Sequence, residues 1–322
     1  MLTAYSLKNG CLRAGATDET GLAEALWLDL FDPTSDELDR VGKHVQLELP
    51  TRADMEEIEI SSRLYREGDG TFMTALVLAN SDSEQPIADV VSFILIRDSL
   101  ISIRFIEPQP FKTFKARSER GSVHAASAEA VLMVLLDVII DRMADILEKI
   151  ARDIDELSRD IFHPAGAEHF RSVDFQGVLR QLGRRNDLNG KMRESLLTIS
   201  RLLSFFSLTM EAIPNSDIHG HIKTLTRDIQ SLQDHSSYLS GKLSYLLDAT
   251  LGLINIDQNN IIKVMSVAAM VFLPPTLIAS VEGMNFKFMP ELNSAWGYPI
   301  SLVLMVMSAV VPYLWFKRRG WL

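Results

Sequence analysis

Cysteine is nearly absent. Cys11 is the only one in 322 residues, so one chain can build neither an intramolecular disulfide nor a thiolate metal cluster. Basic residues are also short, 32 Lys and Arg against 42 Asp and Glu. The resulting net charge of −10 repels phosphate and argues against a nucleic-acid partner. No phosphate-cradling glycine loop, Ser-His-Asp elbow, HExxH or paired-cysteine site occurs, so the common enzyme signatures are missing. His124, His163, His169, His219, His221 and His235 are scattered through polar segments and read as surface residues, the His219-x-His221 pair included. The N-terminus shows no basic segment followed by an apolar run, so no cleaved signal peptide is expected.

What is present is an uneven distribution. Residues 259–322 hold five basic residues and two acidic ones, a net of +3, which leaves −13 on residues 1–258. An acidic body of that kind suits a cationic partner. Val264–Val281 and Tyr298–Phe316 contain no charged residue. As helices each is roughly 27–28 Å long, close to the hydrocarbon thickness of a bilayer. Trp296, Trp315 and Trp321 flank them as interfacial aromatics, and Lys317-Arg318-Arg319 follows the second run at once. Two membrane spans are therefore expected. Lys263 and the Lys-Arg-Arg cluster lie on the side opposite the short link, which places both termini in the cytoplasm.

Residues 1–125 read as a cytosolic α/β domain. Leu26–Phe31 is a strand, a helix runs through Asp36 to Val41, and ADMEEIE is an acidic helix. Hairpins turn at Gly68-Asp69-Gly70 and at Arg97-Asp98. Residues 126–258 carry a helical period, with helices near 126–162, 171–211 and 216–281, the last running on into the membrane part, 259–322. His163-Pro164-Ala165-Gly166 and Ile213-Pro214-Asn215 break them.

The third helix bears two rows. Leu225, Ile229, Leu232, Leu239, Leu243, Leu246 and Leu253 fall on one, with Ser236 and Thr250 in the remaining slots. That row calls for helical partners, and self-association is the expected source. The other row is Asp248, Gly252, Asn255, Asn259, Ile262, Ser266, Ala269, Leu273, Thr276 and Ser280, small or polar except at Ile262 and Leu273. Inside a membrane such a stripe means either helix contact or a water-filled path. In a ring of parallel copies it lines an axial pore, with Ile262 and Leu273 as apolar constrictions.

Gly283-Met284-Asn285 stands where the first span ends, followed by Met289-Pro290-Glu291-Leu292, Trp296-Gly297-Tyr298-Pro299 and KRRGWL. Together with GLINIDQNNIIKV and VFLPPTLIAS, these segments resemble the CorA family of magnesium transporters, densely over roughly the last 80 residues. The resemblance implies a funnel-shaped homopentamer in the inner membrane, with a cytosolic α/β domain and a long helical stalk that continues into the first of two transmembrane helices. It implies Mg²⁺ as substrate and as regulatory ligand, with Co²⁺ and Ni²⁺ as further substrates. Gly283, Met284 and Asn285 would form the outer mouth. Asn259, Ile262, Met265, Leu273 and Thr276 match pore-lining positions, to which the stripe adds Ser266 and Ser280. Asp248 matches a cytosolic-mouth carboxylate and Asp228 an inter-subunit regulatory site. Glu291 belongs to the external loop.

Glu282 departs from the pattern, since the family usually has an aromatic residue there. It either points to lipid headgroups or forms an extra ring of charge beside the mouth. Two other readings share the architecture, a related zinc transporter and a membrane-anchored scaffold without transport. The first differs from the family at the Gly-Met-Asn position, and the second needs no polar stripe ending at an asparagine.

Overall fold

The computed structural model describes residues 1–8, 10–121, 123, 125–162, 174–211, 216–285, 287, 289, 294 and 296–319. The expected breaker at 163–166, the one at 213–215, and His124 and His169 lie outside the described residues. Two compact units are present, Met1–Leu247 and Asp248–Leu322.

In the first unit the order is β1 (Leu2–Lys8), β2 (Cys11–Ala14), α1 (Glu19–Ala23), β3 (Trp27–Phe31), α2 (Ser35–Val45), α3 (Arg52–Glu56) and α4 (Ile60–Arg63). Then come β4 (Leu64–Glu67), β5 (Gly70–Ala79), β6 (Ile87–Ile96), β7 (Ser99–Arg104), α5 (Gln109–Glu119), α6 (Ala128–Phe162) and α7 (Phe175–Met210). The seven strands form one sheet in the order β2-β1-β3-β7-β6-β5-β4. β3 and β7 pair in parallel, with Trp27 opposite Leu100, and the other neighbours are antiparallel. Both expected hairpins are present, and their turns use the left-handed region at Gly68 (φ +56°) and Arg97 (φ +49°).

Strand β3 is covered on both faces, as the alternation of its side chains requires. Leu28 and Leu30 join Phe72, Ile94, Ile101 and Ile103 in a core closed by Val41 and Val45 of α2 and Met55 of α3. On the other face Trp27 meets Phe114 of α5 edge to face at 5.1 Å. Asp29 shares that face and is fully buried beside Arg104. Thr34 and Glu37 build a reciprocal capping box that starts α2. Beyond Met73 the outer edge of β5 outruns β4, and α7 covers it: Thr198 Oγ1 accepts from the Leu76 amide at 2.9 Å, and Ser195 donates to the Leu76 carbonyl. An open strand edge is thereby closed without another strand.

The long helix α8 spans Ser216–Glu282. Its leucine row is buried from Leu225 through Leu246, Leu232 being partly covered. Asn189 of α7, itself buried, donates to the Ser236 carbonyl at 3.0 Å and the Ser240 hydroxyl at 2.8 Å and accepts from Ser236 Oγ at 3.0 Å. Lys242 also reaches Asp155 of α6. This corrects the expectation that only other copies cover the row: the chain's own helices bury it, because α6 and α7 are long enough to flank it.

The second unit holds the rest of α8 and α9 (Gly297–Arg318). These are the two expected spans. Burial covers only 6% of the most apolar stretch of α8 and 11% of that of α9. A core helix of a soluble protein is mostly buried, so this exposed apolar surface needs lipid or further helices.

Candidate functional site

The stripe predicted on α8 is helical throughout, and all ten of its residues from Asp248 to Ser280 are exposed within one chain. Leu273, its apolar member in the middle of the span, is 65% exposed, and Met265, one residue off the row, is 67% exposed. Asn259, Ile262, Ser266 and Thr276 lie on the same exposed face. The structure thus brings the predicted pore-lining set onto one surface that none of the described residues covers. The remaining positions tell which face the chain does use. Val267 is buried, and Val271, Pro274, Pro275, Ile278 and Glu282 are partly covered. On α9 the buried residues are Ser301 and Phe316.

Local chemistry shapes the stripe near its end. Pro274 and Pro275 lack N–H groups, so the carbonyls of Met270 and Val271 lose their intrahelical donors. The Thr276 hydroxyl turns its proton back to the Phe272 and Leu273 carbonyls. What Thr276 offers to its surroundings is therefore oxygen lone pairs. Such an acceptor suits the outward-pointing hydrogens of a hydrated cation.

Helix α8 stops at Glu282. The Gly283 amide still donates to the Ala279 carbonyl at 2.9 Å and the Met284 amide to Val281 at 3.3 Å. A Cβ at Gly283 would stand 3.1 Å from the Ala279 carbonyl oxygen, which explains glycine at this closing turn. Met284 and Asn285 follow, both exposed. Glu291, expected in the external loop, lies outside the described residues. Glu282 itself is the last residue of α8, and its carboxylate accepts a hydrogen bond from the Ser301 hydroxyl of α9. The sequence alone gave no sign of this partner, since Ser301 sits in an apolar run and its register against α8 depends on the fold.

Asp248 is exposed at the start of the second unit. Asp228 belongs to the first unit, near the acidic face of α6. There burial raises the pKa of Asp141, and the charges of Asp137, Asp145 and Asp228 add to the rise while Arg117 opposes it. Among the described residues no group of three or more His, Cys, Asp or Glu side chains is arranged to hold a metal ion.

Comparison with known proteins fits this arrangement. The family model described as CorA-like Mg²⁺ transporter protein matches residues 23–318. The chain belongs to the CorA-like family. The magnesium transport protein CorA of Escherichia coli (strain K12) is 34% identical over 323 residues, with 100% of both chains covered. That of Yersinia pseudotuberculosis is also 34% identical over the full length of both chains. Among solved structures, the complete CorA magnesium transporter of Methanocaldococcus jannaschii matches with a TM-score of 0.74 at 18% identity, covering 100% of this chain and 99% of that one. That likeness extends the CorA fold across both units, including two apolar helices suited to a membrane.

Proposed function

We propose that this protein is a homopentameric channel of the inner membrane that carries hydrated Mg²⁺ into the cytoplasm. The observation that carries the reading is the α8 stripe, exposed at every position from Asp248 to Ser280 and leading to Gly283-Met284-Asn285. Five copies around an axis cover that surface and turn it into a path. Asn285 then rings the outer mouth with neutral amides. Mg²⁺ dehydrates reluctantly, so amide oxygens that hydrogen-bond its water shell select it without stripping it. Carboxylates in the same place would hold the ion too tightly for rapid release. Ile262 and Leu273 narrow the path by dewetting, with Asn259, Met265, Ser266, Thr276 and Ser280 between or beside them.

The charge pattern supports the direction. Lys263 and Lys317-Arg318-Arg319 favour a cytoplasmic side for both termini. Two charges entering on an inside-negative potential gain about 4.6 kcal/mol per 100 mV, so influx needs no nucleotide and no proton. Cytosolic Mg²⁺ acts back on the acidic bodies by bridging carboxylates of neighbouring copies, Asp228 and Asp248 among them, and so closes the path. Co²⁺ and Ni²⁺ share the route as secondary substrates. Uptake of Mg²⁺, Co²⁺, Ni²⁺ and Zn²⁺ into proteoliposomes under a potassium diffusion potential tests the reading. Mg²⁺ entry on potential alone is expected. A strict need for a pH gradient, or a preference for Zn²⁺, points instead to a coupled zinc transporter.

A further inference from the structure

Glu282 is the one charged residue in α8 beyond Lys263, and its place on the helix is decided by two independent observations. The first is angular. Successive α-helical residues turn by about 100°, so Glu282 lies about 200° beyond Ser280 and on the far side of the helix from the stripe. It falls instead on the row of Val267, Val271, Pro274 and Ile278, whose members are buried or partly covered. The second is a contact. The Ser301 hydroxyl, only 6% of that residue being exposed, donates to Glu282 Oε1. Its alternative acceptor is the Gly297 carbonyl of its own helix at 2.9 Å. One proton serves both, and the carboxylate is the stronger acceptor. Glu282 and Ser301 border, with Val281, Met289, Gly297 and Tyr298, a cavity of about 420 Å³. Such a cavity leaves room beside the carboxylate for water, which a charged group at a bilayer edge requires.

We propose that Glu282 is a positioning residue. Through Ser301 it clamps the end of α8 to α9, and so fixes the direction in which Gly283-Met284-Asn285 leaves the helix. Its charge does not enter the ion path, which replaces the extra ring of carboxylates beside the mouth as the role of this residue. The proposal deepens the transport reading and rests on it.

The test uses the full-length protein with Glu282→Ala, Ser301→Ala, the double variant, Glu282→Gln and Ser301→Thr. Each is assayed for Mg²⁺ uptake in liposomes and for thermal unfolding in detergent. Each alanine variant is expected to lower maximal uptake about three- to tenfold, the worth of one ordinary hydrogen bond, with little change in half-saturating Mg²⁺. The double variant should be no worse than either single one, in uptake and in Tm alike. Glu282→Gln keeps a carbonyl acceptor and Ser301→Thr keeps the donor, so both should recover most of the loss. If Glu282→Gln raises half-saturating Mg²⁺ while Ser301→Ala is silent, the charge serves the mouth and the clamp is wrong. Additive losses, or no loss in any variant, overturn it as well. If the wild-type protein carries no Mg²⁺, the transport reading falls, and the Tm coupling decides the clamp separately.

Discussion

Asp29 and Arg104 meet across the parallel pair of strands with neither side chain exposed. Arg104 Nε donates to Asp29 Oδ1 at 3.0 Å, and a terminal guanidinium nitrogen donates to Oδ2 at 2.9 Å. Ser102 donates to the same carboxylate at 2.8 Å while accepting from the Trp27 indole at 2.9 Å, and Lys115 closes the group at 2.9 Å. The guanidinium also lies over the rings of Phe31 and Phe111.

This cluster makes the first unit sensitive to acid. Burial pushes the Asp29 carboxyl up, but the hydrogen bonds and charges of Arg104 and Lys115 outweigh it and hold its pKa below the ordinary value. Stability from a depressed carboxyl is present above the unfolded pKa of about 4 and is lost as pH falls through the folded value. Asp29→Asn should cost about 3–5 kcal/mol, because it leaves Arg104 buried without its counter-ion. It should also flatten the acid limb of the stability curve. Urea unfolding of both proteins at several pH values below 5 checks this, and parallel acid limbs would assign the acid sensitivity elsewhere.

Asn285→Ala removes the amide proposed to orient the hydrated ion. Mg²⁺ uptake should fall to background while expression and oligomer size stay unchanged. Uptake near the wild-type level by a correctly assembled variant would remove Asn285 from the selectivity site.

The proposed regulation by Mg²⁺ predicts a change in the first unit. With −13 on residues 1–258 of each copy, adjacent bodies repel, and bound cations offset the repulsion. Chelation should therefore raise protease sensitivity, and saturating Mg²⁺ should lower it. Asp228→Asn combined with Asp248→Asn should shrink the difference between the two conditions. Identical digestion patterns with and without Mg²⁺ in the wild-type protein would count against bridging carboxylates.

Much of the architecture was legible because it is local. The helical period located α6, α7 and α8 to within a few residues, and two turns announced their hairpins. The polar stripe followed from spacing alone. The parallel pairing of Trp27 with Leu100 was not legible, since nothing near either residue specifies a partner more than seventy positions away. Asp29 was hidden inside an apolar strand motif, and its role depends on Arg104 and Lys115 arriving from two later elements. The leucine row of α8 was read correctly as a packing face, but its partners were not: Asn189 of α7 and Asp155 of α6 show that the chain supplies them. Glu282 was ambiguous for a similar reason. A helical wheel gives its angle, whereas only the fold supplies Ser301.

The parallel joint between β3 and β7 also orders events during synthesis. The sheet cannot close until Arg104 has been made, because β7 lies between β3 and the remaining strands. From Arg104 to the first apolar run at Val264 the ribosome still has 160 residues to add. At roughly 5–20 residues per second that interval lasts about 10–30 s, ample for a mixed sheet of this kind to fold. The sheet is then already closed when the first apolar run emerges, and the insertion machinery receives two apolar helices attached to a chain whose sheet has folded.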